Sequence, residues 1–256
     1  SFIIKSIENI GDKVINYMSS LYCFLSFSIL HTIHIFNYRN YSSRTFTTLI
    51  NQIYYTSVTI LPFFLIIAFV FGSILVGALI VIASEFSIQV QIGSVIVTFV
   101  LNELSPLFTA IFISLRSGTL IHRKLSHIDM TNEIGLISNI ILPRIIAGVF
   151  SSVSLSLVFA MIMISSGYVF TFFLMGMDLH TYKYLIFDAI EVNNIIILLI
   201  KGILFGFIVT VIAIHNGLEV AKKSISSRSS VINMIVNIFL ALFFIEMLSL
   251  LLIKLI

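Results

Sequence analysis

The chain has 256 residues, of which 59% are hydrophobic and 10% charged, with no tryptophan and a formal net charge of +3. A soluble domain carries about 25% charged residues, so this composition, with a mean hydropathy of +1.15, excludes an ordinary soluble enzyme and leaves little chain for a separate soluble domain. A single cysteine, Cys23, excludes an internal disulfide framework and any cysteine-based metal site. The small net charge carries no message about nucleic acid, because in such a chain the position of lysine and arginine relative to the membrane is what matters.

No charged-then-apolar leader with a small-residue cleavage site opens the sequence, so no signal peptide is expected. Instead Ile3, Ile7, Ile10, Val14 and Met18 recur at three-to-four spacing, while Lys5, Glu8, Asp12 and Lys13 take other faces. That pattern is an amphipathic helix, too polar to cross a bilayer. Residues 21–36 are more apolar but contain His31, Thr32, His34 and several serines and run into Arg39 and Arg44. They read as a re-entrant or interfacial elbow rather than a sixth span. Residues 1–57 are therefore expected to form amphipathic and elbow helices ahead of a five-span domain over 58–256.

A span needs roughly 20 apolar residues, and five stretches supply them, over about 58–82, 95–121, 137–165, 195–215 and 231–253. The first holds no charge and has Pro62 near its start, where a membrane helix tolerates it. The third runs on to about Met175, and Ser165-Ser166-Gly167 is the expected place for a bend between the span and a kinked extension. Ser73 with Gly77, Ser114 with Gly118, and Gly202 with Gly206 recur at helix-packing spacing and point to close span contacts.

With five spans, eleven of the fourteen basic residues fall on one side: Lys5, Lys13, Arg39 and Arg44 before the first span, Arg116, Arg123, Lys124 and Arg144 around the second connection, and Lys222, Lys223 and Arg228 around the fourth. The other side holds Glu85, Asp178, Lys183, Asp188 and Glu191. The positive-inside rule then puts the N-terminus in the cytoplasm, or a stroma-like compartment, and the C-terminus outside. An odd span count without an evident repeat argues against an inverted-repeat carrier in one chain and favours a pore between two copies.

Three ionisable residues lie deep within spans. At about 1.5 Å per residue, Glu103 lies about 14 Å in from Ser94, Lys201 about 9 Å in from Ile195, and Glu246 about 12 Å in from Lys254. All three fall in one layer of the outer half. A charge at the span centre costs at least about 2.5–3.5 kcal/mol on insertion scales, so each needs a partner, a watery cavity or a role. A gate touching the polar part of an amphiphilic cargo and an assembly ion pair between spans are both open. Arg116 lies about 20 Å beyond Glu103 on the same helix, too far to pair with it, and either snorkels to the interface or docks a cytoplasmic partner. His31 and His34 lack a third ligand, so no metal site is expected. The chain has no GxxxxGK[ST] phosphate loop and no Ser-His-Asp or paired-carboxylate set. Any energy supply must come from another subunit.

In order along the chain stand Asn102-Glu103-Leu104-Ser105-Pro106, Leu115-Arg116-Ser117-Gly118, Met130-Thr131-Asn132-Glu133-Ile134 and Pro143-Arg144. Lys201, Asn216-Gly217 and Glu246 follow. This order resembles the MlaE-type permeases of lipid-transporting ABC systems, in which the first three runs usually read Arg-Glu-Leu-Gly-Pro, Gly-Arg-x-Gly and Thr-Glu-Gln and the last acid is usually Asp. The likeness covers about residues 45–256. It implies an all-α integral membrane protein of MlaE-type permease fold, acting as a homodimer with two cytoplasmic ABC ATPase subunits and an extracytoplasmic MCE-domain protein, a hexameric ring that carries phospholipid. The membrane implied is the inner membrane of a double-membraned bacterium, or an inner envelope or organelle membrane of bacterial descent.

The resemblance also implies a coupling segment gripped by the ATPase over about 122–134, with Arg116, His122, Arg123, Lys124, Met130, Thr131, Asn132 and Glu133 as its candidate contacts. Glu103, Pro106, Lys201 and Glu246 are the candidates for a substrate pathway or gate. No cofactor is expected on this chain; ATP and Mg belong to the partner. Three departures stand out. The usual arginine is Asn102, leaving Lys201 as the only base of the layer. The usual Ala-Ala-Glu before the coupling segment is His122-Arg123-Lys124, and the stretch from Glu133 to Pro143 is shorter by roughly eight residues, so a dedicated ATPase partner is expected. Two other functions stay open: an ion-coupled carrier with Glu103 and Glu246 as proton relay, and a non-transporting scaffold.

Overall fold

The computed structural model describes residues 43–86, 88–120, 122, 140–223 and 227–255, and among them there are helices and turns but no strand. Among the described residues five helices are long and apolar enough to cross a membrane: α1 (Phe46–Glu85), α2 (Val90–Arg116), α3 (Leu142–Met175), α5 (Val192–Ala221) and α6 (Ser230–Leu251). A short helix, α4 (Leu179–Ile186), lies between α3 and α5. The expected elbow helices before residue 43 and the histidines His31 and His34 lie outside the described residues, as does the coupling segment from Arg123 to Ile134.

The first helical run starts at Ser43, before the expected boundary at residue 58. Its opening stretch, Ser43–Ile53, is amphipathic by sequence, with Phe46, Leu49, Ile50 and Ile53 on one side, and it packs against α3 as the first part of α1. Ser57 and Ser151 hydrogen bond at 2.7 Å between α1 and α3, and Ser84 Oγ lies 3.7 Å from Met175 Sδ near the far ends of both. The two helices therefore run side by side in the same direction, as the first and third of five spans must.

The expected bend in the third span is not found. Helix α3 keeps its α-helical ladder from Leu142 to Met175, through Ser165, Ser166 and Gly167. Those small residues serve close packing instead. A side chain at Gly72 of α1 would strike Ser166 and the Met163 backbone, and one at Gly167 would strike Val76 and Tyr182. Helix α3 ends where Gly176 turns left-handed at φ 62°, a conformation that costs glycine little. Asp178 then caps α4 by accepting from the His180 N–H at 3.1 Å. Tyr182 of α4 is buried and donates its hydroxyl to the Ile164 carbonyl of α3 at 2.5 Å.

The core lies among α1, α2, α3 and α5. Phe64, Phe112, Phe159 and Phe108 form a ring cluster in it, with Phe64 centred 5.2 Å from Phe112 and 5.0 Å from Phe159, and Phe108 stacked 5.6 Å from Phe159. By contrast α1 and α6 hold long rows of exposed Phe, Ile, Leu and Val, as lipid or a second protein surface requires where water is absent. The pair Gly202 and Gly206 brings α5 against α3: a Cβ at Gly206 would come within 2.6 Å of Ser152 Cβ and 2.8 Å of the Gly148 carbonyl. Gly118, in contrast, leaves 3.8 Å to its nearest neighbours.

Gly206→Ala is therefore expected to force α3 and α5 apart and to cost about 1–3 kcal/mol, whereas Gly118→Ala is expected to be tolerated. Thermal unfolding of the two variants in detergent checks the contrast.

Candidate functional site

The site starts from an irregularity in α2. Pro106 has no N–H to give the preceding turn, and the backbone before it widens into a π-helical turn, Phe99–Leu104. Ser105 Oγ donates to the Val100 carbonyl at 2.7 Å, so the loosened turn stays satisfied. Such wide turns often mark functional positions in membrane helices, and this one carries both Asn102 and Glu103. Pro106 itself is buried; it shapes the turn that carries Glu103.

Lys201 of α5 meets that turn. Its Nζ donates to Glu103 Oε2 at 2.7 Å and to Glu246 Oε1 of α6 at 3.1 Å. The lysine side chain is 4% exposed and those of Glu103 and Glu246 are 18% and 15% exposed. The three residues placed in one layer by depth arithmetic are thus joined by one ammonium bridging three helices. Glu246 Oε2 is buried with no hydrogen-bond partner among the described residues, and two carboxyls face a single base.

Sequence reasoning missed the group beside this triad. Asn102, where the resembled family has arginine, donates from Nδ2 to Asn194 Oδ1 at 3.2 Å, and both residues are buried. Asn194 lies two turns before Lys201 on the same face of α5, a spacing that was legible but carried no charge to draw attention. The amide pair replaces a charge with a neutral contact between α2 and α5.

The remaining candidates fall at the opposite end of α2. Arg116 is exposed and its Nη1 donates to the Thr59 carbonyl of α1 at 3.4 Å; it braces two helices and makes no contact with the triad. His122 was expected among the surface contacts of a coupling segment, but the structure buries it completely. Its Nε2 lies 3.0 Å from Ser230 Oγ at the start of α6, and Nδ1 has no partner among the described residues. Burial pushes its pKa below the ordinary 6.5, because an apolar surrounding disfavours the charged ring. Arg123, Lys124, Met130, Thr131, Asn132 and Glu133 lie outside the described residues. Among the described residues no group of three or more His, Cys, Asp or Glu side chains could hold a metal ion.

Residues 49–252, which include nearly the whole of α1 and all the spans after it, match the family model described as Permease MlaE. The chain belongs to the MlaE permease family. Similar proteins include a probable ABC transporter permease of Rickettsia prowazekii, 24% identical over 243 residues that cover 92% of each chain. Another, from Rickettsia bellii, is 23% identical over 238 residues covering 90% of each. As the permease subunit of an ABC transporter, this multi-pass membrane protein is not itself an enzyme. ATP hydrolysis belongs to a separate ATPase subunit, in keeping with the missing phosphate loop.

Two outcomes follow for the permease. Lys201→Met strands two buried acids and is expected to cost about 3–5 kcal/mol, whereas Glu246→Gln leaves one acid with one base and is expected to change stability by far less; melting temperatures in detergent order the two. The depressed folded-state pKa of His122 means that its contribution is intact above about pH 6.5 and declines as pH falls below that value, where the unfolded chain binds the extra proton. The loss of melting temperature between pH 7.5 and about pH 5.5 should therefore be smaller in His122→Gln than in the wild type.

Proposed function

We propose that the permease moves phospholipid or a related amphiphile between its membrane and an extracytoplasmic MCE-type carrier, as a homodimer driven by a dimer of cytoplasmic ABC ATPases. The observation that carries this reading is the ion triad Glu103–Lys201–Glu246, set among three predominantly apolar helices. A cargo with a charged head and hydrocarbon tails needs a site with both characters. The exposed apolar faces of α1 and α6, with α2 behind them, would wall a cavity between two copies. The triad would act at its polar level as a gate or head-group contact.

The concentration of lysine and arginine on one side supports an N-terminus in the cytoplasm and a C-terminus outside. Membership of the family makes the expected membrane the inner membrane of a double-membraned bacterium, or an inner envelope or organelle membrane of bacterial descent. Residues 123–134, with Arg123, Lys124 and the Met130–Glu133 run, would present the ATPase contact on the cytoplasmic side. ATP and Mg act on the partner, and the carrier outside would be an MCE ring.

The test is transfer of a fluorescent phospholipid in proteoliposomes holding the permease and its co-purified ATPase. Transfer is expected to need ATP and to stop with vanadate. Glu246→Gln should keep ATPase binding and folding while transfer drops at least about tenfold, the order expected when one charge-assisted contact is lost. A purified complex without an ATPase, or transfer that ignores vanadate and follows a pH gradient, overturns the proposal, the latter in favour of an ion-coupled carrier. An assembled complex that moves no lipid under any condition points to a scaffold.

A further inference from the structure

Helix α6 is the least enclosed of the spans. Only 17% of its most apolar window is buried, against 50% or more for α2, α3 and α5. Its apolar packing is mainly on α5. Among the described residues two polar contacts join it to other parts of the bundle, one near each end: Ser230 with His122 beyond α2, and Glu246 with Lys201 of α5. The two contacts are separated by about 24 Å of helix.

The first contact is part of an ordered seam. Gly118, two residues past α2, lies beside Met234 of α6, and one helical turn further along each segment His122 meets Ser230. The matched steps in opposite directions describe two antiparallel helices in fixed register. Met234 is fully buried in that seam. The end of α2 therefore cannot shift without either carrying the start of α6 with it or breaking the His122–Ser230 contact.

We propose that His122 and Ser230 form the joint through which movement of the ATPase-coupling segment is passed to α6, and so to Glu246 at the polar triad. This rests on the transport reading above. His122 opens the coupling segment but faces inward, so the ATPase grips the residues after it while the imidazole holds α6. A neutral hydrogen bond suits a joint that has to re-form in each cycle: it is specific in direction and lacks the large desolvation cost of a buried ion pair. His122 and Ser230 are positioning residues; they touch neither cargo nor nucleotide.

The experiment measures lipid transferred per ATP hydrolysed in proteoliposomes carrying the whole complex. Ser230→Ala removes one hydroxyl, and His122→Ala removes the ring. In both, the ATPase is expected to remain bound and to hydrolyse ATP, while lipid transferred per ATP falls about fivefold, the order of one lost hydrogen bond. His122→Gln, whose amide reaches the position of Nε2, should recover most of the ratio. An unchanged ratio in both alanine variants overturns the proposal. So does loss of ATPase binding together with transfer in Ser230→Ala, which marks the contact as structural only. Absence of an ATPase from the wild-type complex would instead overturn the transport reading beneath it, and that is seen before any variant is made.

Discussion

An ammonium group in a membrane-spanning helix has to be answered by acids, and in this permease the answer organises three helices. Lys201 is almost wholly buried and reaches Glu103 on α2 and Glu246 on α6. Neither acid has another base within reach among the described residues. Because the desolvation of each charge is recovered only if the other two stay in place, the register of α2, α5 and α6 is held more strictly here than by the apolar side chains, which tolerate sliding. The wide turn ahead of Pro106 and the close approach of α5 to α3 at Gly202 and Gly206 both serve that meeting point.

Away from this level the bundle is held by contact. Inside a bilayer the hydrophobic effect does little to bring helices together, so close packing of small residues and a few hydrogen bonds take over. Gly72 against Ser166, Gly206 against Ser152, and the Ser57–Ser151 hydrogen bond are such contacts, and they join α1, α3 and α5 into the inner body. Helix α6 has few of them. It hangs on the triad at one end and on His122 at the other, which makes it the span best placed to respond when either end is moved.

The reading of Ser165-Ser166-Gly167 shows where pattern alone misleads. Small residues in a long helix are compatible with a bend or with a neighbour at close range, and the two have the same one-dimensional signature. Only the presence of α1 alongside, with Gly72 and Val76 opposite, decides for packing. His122 is a similar case: the resemblance marks it as a candidate coupling contact beside Arg123 and Lys124, and nothing local indicates that its ring meets Ser230, more than a hundred residues away.

What the sequence determined by itself was the medium, the five spans found among the described residues and the shared depth of Glu103, Lys201 and Glu246. These follow from the lengths of apolar runs and from a fixed rise per residue, quantities that need no knowledge of neighbours. What only the tertiary structure decided was contact: that one ammonium bridges both acids, that Asn102 pairs with Asn194, that Ser166 and Gly167 face α1, and that His122 holds α6. Depth along a span is a one-dimensional property, whereas the rotation of each helix about its axis is set by all the helices packing together.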